Sequence, residues 1–172
     1  MKNFFLVLSI VFIFAMPAYA GDYEFYVFGV NLKWIKNSDW KMITLGAVSS
    51  VVAHELGHIS YVKYKGYDCK RDGLDFYTTG MKGSDLQNLG RAGFVVQTGI
   101  GLLLTSFEKT RHSDFTRGWT GVTAFQLGTY PIRYNKNKKG DFHLIDKGGG
   151  NADLEYGIFS AITIHNLLRQ EW

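Results

Sequence analysis

The stretch Val51–Val62, VVAHELGHISYV, constrains this chain more than any other. It sets His54, Glu55 and His58 inside an apolar run that reads as a helix. Positions i and i+4 of a helix share one face, about a turn apart. The rings of His54 and His58 can therefore aim at a single metal ion, while Glu55 reaches a water beside it. Without a metal, the same run would bury a carboxylate among apolar side chains with nothing to offset its charge. The expectation is a Zn2+ site with His54 and His58 as ligands and Glu55 as general base. Gly57, between the ligands, costs roughly 1 kcal/mol of helix propensity against alanine. Such a residue suits a close approach by another backbone or by substrate.

The surrounding pattern predicts a mainly α (α+β) fold of about four helices, with the HELGH helix central. Asn37-Ser38-Asp39 offers N-caps for a helix from Trp40 to about Lys65, ended by Gly66. Ser84-Asp85 opens a second, from Leu86 to about Phe107, in which Ala92–Phe107 carries no charge. A third covers Thr116–Tyr130 until the Thr-Tyr-Pro break. Asn151 or Asp153 caps a last helix through about Leu168, after the flexible Gly148-Gly149-Gly150. Tyr23–Ile35 is aromatic and β-branched, a short N-terminal strand or hairpin, and Tyr67–Gly83 reads as a hairpin or loop.

The first twenty residues are set apart from the fold. Lys2, the uncharged Phe4–Met16 and Ala18-Tyr19-Ala20 have the layout of a secretory signal peptide. Residues 21–172 then form a single expected domain, exported and either periplasmic or membrane-associated. The formal net charge is +4, with one basic cluster at Arg133–Lys139 that reads as a solvated loop. Nothing further points to nucleic acid. Cys69 is the single cysteine, so no internal disulfide exists. The apolar runs fall short of the roughly 20 charge-free residues of a clear spanning helix, yet membrane association is expected from them.

A catalytic zinc needs a third protein ligand and an open position for water. Asp153 and Glu155 at the head of the last helix are candidates, as are Asp141, His143 and Asp146 in the preceding loop. His165 reads as a core histidine and His112 as a solvated one. A metzincin-type third histidine would fall at position 64, which is tyrosine.

With VVAHELGHISYVKYKGYD, LGRAGFVVQTGIGLLLT and GGGNADLEYGIFSAITIHNLL in view, the chain resembles a site-two-protease-type zinc metallopeptidase. The resemblance runs from about Ile43 to Leu168 and is specific at the first element. It implies His54, His58 and Asp153 as ligands, Glu55 as base, and Asn151 as a catalytic asparagine helping to hold substrate or oxyanion. Phe94 stands where that family has proline, and Asp153 is followed by Leu154-Glu155 rather than glycine. Glu155 is therefore the alternative third ligand, and a glutamate there would resemble the thermolysin-like or minigluzincin arrangement.

The expected function is zinc-dependent peptide-bond hydrolysis by an activated water, on a peptide or protein substrate. Two alternatives stand beside it: a non-catalytic membrane-associated protein with a structural zinc, and a cell-wall peptide amidase.

Overall fold

In the computed structural model, the described residues are 26–27, 30–31, 38–68, 70–72, 75–137 and 140–170. They are mainly helical. Four long helices are present: α1 (Trp40–Tyr64), α2 (Gly83–Ser106), α4 (Asp114–Asn137) and α6 (Ala152–Leu168). Two short ones, α3 (Glu108–Arg111) and α5 (Asp141–Lys147), lie between them. The helices belong to one unit, Trp40–Glu171, inside the expected domain.

The signal segment, Cys69 and most of Tyr23–Ile35 lie outside the described residues. Within that last stretch, β1 (Tyr26–Val27) and β2 (Val30–Asn31) pair antiparallel. Two residues each do not support the N-terminal strand predicted there. After α1, β3 (Lys70–Asp72) pairs antiparallel with β4 (Asp75–Tyr77), as the turn-rich Tyr67–Gly83 suggested.

α1 ends where glycine is required. Gly66 has φ +74, its N–H bonds the Lys63 carbonyl at 3.0 Å, and the Tyr67 N–H bonds Val62 at 3.1 Å. Asp85, in the first turn of α2, then draws this end together. It accepts from Tyr61 and Tyr67 at 3.2 Å each and pairs with Lys65 at 2.8 Å.

Small residues set how the long helices meet. α1 packs against α4 and α2. A Cβ on Gly46 would fall on the Phe115 carbonyl oxygen, and one on Gly118 would fall on that of Ile43. The α1–α4 backbones therefore touch at two reciprocal glycines. On the other side, a Cβ on Gly57 would come within 2.5 Å of the Ala92 carbonyl. The glycine in the HELGH run serves the close backbone approach its position suggested.

Polarity is distributed unusually. Ser50, Gln97, Thr98, Thr105, Thr116, Thr120, Thr123, Asn166 and Gln170 are all buried. Several threonines return their hydroxyls to a carbonyl one turn back, as Thr105 does to Gly101 at 3.0 Å and Thr120 to Thr116 at 2.9 Å. Meanwhile Leu45, Val48, Val52 and Leu56 are each at least half exposed. Their spacing draws a stripe along one side of α1. Leu154, Ile158, Ile164 and Leu168 do the same on α6.

The main apolar cluster is Phe94, Leu127, Tyr130, Phe142, Ile145 and Phe159, contributed by α2, α4, α5 and α6. Two local expectations change here. Residues 141–147 form a helix rather than part of a loop, because Phe142 and Ile145 bury one face of that segment in the cluster. α4 also continues through Pro131 to Asn137 instead of stopping at Tyr130. Proline inside a helix removes one backbone bond, and helical turns on both sides carry the chain past it.

Candidate metal centre

His54 and His58 lie on the inner side of α1, 6 % and 13 % exposed at the side chain. Each is anchored by its far ring nitrogen. His58 Nδ1 donates to the Leu89 carbonyl at 2.8 Å, an oxygen that can only accept. His54 Nδ1 lies 3.1 Å from Gln97 Oε1. Both Nε2 atoms are thereby turned toward one point, 3.1 Å apart. Metal-ligating histidines are held by such outer contacts.

The third member is Asp141. Its Oδ2 lies 3.0 Å from His54 Nε2 and its Oδ1 lies 3.2 Å from His58 Nε2. The placement follows from the fold. Phe142 packs against Phe94 at 5.3 Å and edge-on to Tyr130 at 4.5 Å, and its N–H bonds the Tyr130 hydroxyl at 3.3 Å. Ile145 is fully buried one turn later. With those side chains fixed, the start of α5 lies over α2, where a Cβ on Gly90 would strike the Asp141 carbonyl. Gly140, at φ +99, makes the entry turn that brings Asp141 in.

His54, His58 and Asp141 form a group able to hold a metal ion. Tetrahedral N and O ligands about 2.05 Å from one zinc stand about 3.3 Å from each other. The observed separations of 3.0, 3.1 and 3.2 Å fall just inside that value. Room is provided by Gly93, where a Cβ would lie 2.5 Å from His58 Nε2 and 2.6 Å from His54 Nε2. Any larger residue there would occupy the space beside both nitrogens.

The electrostatics agree with a cation at this point. Burial works against charge on both His58 and Asp141. For His58 the hydrogen bond and charge of Asp141, then the charge of Glu55, outweigh that penalty and raise its pKa above 6.5. For Asp141 the two histidines outweigh burial and hold the carboxyl far below the usual carboxylate range. Two imidazole lone pairs and a carboxylate brought this close need a positive charge among them, a proton or a metal.

The other expected residues are placed differently. Asp153 is exposed in the first turn of α6 and lies outside the group. Glu155 is committed to Arg91, whose Nε donates to its Oε1 at 2.7 Å and whose Nη2 reaches the same oxygen. Asn151 caps α6, its Oδ1 accepting from the Leu154 N–H at 3.0 Å. In place of Asp153 or Glu155, the fold brings Asp141 to the histidines. Four residues of linker and a glycine turn suffice to hold Asp153 on another helix start. Glu55 is half-buried on α1 and, among the described residues, makes no ion pair. His112 Nδ1 donates to the Gln170 carbonyl, 2.8 Å away, and His165 is exposed rather than in the core.

Sequence reading did not single out Gln97 or Gly93. A lone amide in the charge-free Ala92–Phe107 run was the available signal, since a buried amide demands partners.

Ligand identity is open to direct mutation. Asp141→Ala should weaken Zn2+ binding by more than about 100-fold, beyond the 10–100-fold typical of outer contacts, in a chelator-competition titration. Asp153→Ala should leave it unchanged, and the reverse pattern would overturn the grouping. No protein-family model matches this chain, and no curated protein or solved structure was found to be similar to it.

Proposed function

We propose that this protein is a zinc metallopeptidase in which His54, His58 and Asp141 hold the ion and Glu55 is the general base. One observation carries the reading: two histidines a helical turn apart converge with a carboxylate from another helix, beside a glutamate that makes no ion pair among the described residues. Bound zinc supplies Lewis acidity, which makes water a competent nucleophile at neutral pH and polarises a carbonyl. Three protein ligands leave a coordination position for reacting groups, whereas structural zinc is closed by four. Among the described residues the group has three members.

Glu55 follows His54 directly and lies close enough to His58 for its charge to be felt there. In the proposed reaction its carboxylate takes a proton from the attacking water and delivers it to the leaving amine nitrogen. Asp141 neutralises part of the charge at the centre and, through α5, ties the site to the apolar cluster. Asn151 is not needed for this scheme, because its side chain caps a helix.

Glu55→Gln should keep zinc and lower peptide hydrolysis by about 10²- to 10⁴-fold, and His54→Ala should lose both. Full turnover by Glu55→Gln would remove the base assignment. Screening casein-type peptides beside peptidoglycan stem peptides separates a peptidase from a cell-wall amidase.

The setting we propose is membrane-associated. α1 is long and apolar enough to cross a bilayer by length and composition. Its exposed stripe and that of α6 put aliphatic side chains where water would otherwise lie, around a set of buried hydroxyl and amide groups. That distribution suits a lipid contact better than an aqueous one. Flotation with phosphatidylcholine vesicles should carry the protein upward. Replacing Leu45, Val48, Val52 and Leu56 together by serine should release it, and unchanged flotation would contradict the lipid contact.

A further inference from the structure

We propose that Gln97 is a positioning residue that fixes the tautomer of His54 through a hydrogen-bond relay beginning at a backbone carbonyl. The purpose of the relay rests on the metal reading above. Its direction follows from a proton inventory alone.

The Trp119 carbonyl can only accept, and the Thr123 hydroxyl donates its single proton to it at 2.8 Å. Thr123 Oγ1 can then only accept from Ser50 Oγ, 3.1 Å away. The one hydroxyl proton of Ser50 is thereby used. Ser50 Oγ must in turn accept from Gln97, whose Nε2 lies 2.8 Å from it. The second Nε2 proton of Gln97 goes to Gln126 Oε1 at 2.6 Å. With both amide protons placed, the remaining Gln97 atom facing His54 is its acceptor, Oε1. His54 Nδ1 must carry a proton, and its Nε2, which faces His58 and lies 3.0 Å from the Asp141 carboxylate, is left to share the proton or metal that this centre requires.

The path is shielded from bulk solvent, because Ser50 and Gln97 are fully buried and Thr123 is 3 % exposed. The relay also joins the helices that build the centre: Ser50 from α1, Gln97 from α2, and Trp119, Thr123 and Gln126 from α4. A second contact holds Gln97 in place, since the Trp119 indole N–H donates to its backbone carbonyl at 3.0 Å. Reversing the amide would set an N–H against His54 Nδ1, move the ring proton to Nε2 and leave no lone pair for a metal. His58 reaches the same tautomer more simply, through the Leu89 carbonyl.

The experiment is histidine ¹⁵N NMR on the metal-free full chain at alkaline pH, paired with Zn2+ affinity by chelator competition. The wild type should show His54 as the Nδ1–H tautomer. Gln97→Leu should shift it toward Nε2–H and weaken zinc binding about 10- to 100-fold. Gln97→Glu keeps an acceptor facing Nδ1 and should restore both readouts, which a loss of packing alone would not predict. Thr123→Val, which frees the Ser50 proton to turn toward Gln97, should give mixed tautomers and covers the case in which Gln97→Leu does not fold. A folded Gln97→Leu variant with wild-type tautomer and zinc affinity would overturn the proposal. If the wild type bound no zinc yet the tautomers shifted as described, the relay would stand and the metal reading would fall.

Discussion

The constraint on which the site depends is the meeting of two imidazole nitrogens and a carboxylate within 3.0–3.2 Å of one another. Electron-rich atoms do not gather in a buried pocket unless a positive charge lies between them. Three helices are fixed by that requirement. α1 supplies both histidines, α5 supplies the aspartate, and α2 supplies the Leu89 and Gln97 oxygens that hold the far side of each ring. α2 also contributes the side-chain-free Gly93 beside both nitrogens.

This arrangement asks the surrounding helices to come unusually close while keeping polar groups inside. Glycines answer the first demand, with Gly46 and Gly118 letting α1 and α4 touch and Gly57 and Gly90 letting α2 approach its neighbours. Hydroxyls and amides answer the second. Buried Ser50, Thr123 and Gln97, with half-buried Gln126, use one another as partners, so these polar groups are paired where α1, α2 and α4 meet. Aliphatic surface is displaced outward along α1 and α6. The proposed lipid contact and the polar support of the His54, His58 and Asp141 group are thus two sides of one distribution.

Much of this was readable in the chain. Helical spacing of His54 and His58 gave their shared face, and the polar residues before Trp40 and Ala152 gave the starts of α1 and α6, whereas α2 begins at Gly83, before the Ser84-Asp85 pair expected to cap it. The third member of the group was harder. Asp141 stood among the candidates, but a polar segment rich in lysine and glycine carries no periodic signal, and the helix at 141–147 owes its place to Phe142 and Ile145 entering a distant cluster. Local sequence favoured Asp153, whose position near Asn151 resembles the order of residues in site-two-protease-type metallopeptidases; in space it sits on an exposed helix start. Glu155 was drawn away by Arg91, a pairing across 64 residues. Gln97 and Gly93 act through contacts between helices, which spacing along one helix does not encode.

X-ray absorption at the zinc edge of the zinc-loaded full chain tests the central claim most directly. Two imidazole nitrogens with only oxygen in the rest of the shell are predicted, one of those oxygens disappearing in Asp141→Ala. A third imidazole, a sulfur from Cys69, or a shell unaltered by Asp141→Ala would contradict the centre described here.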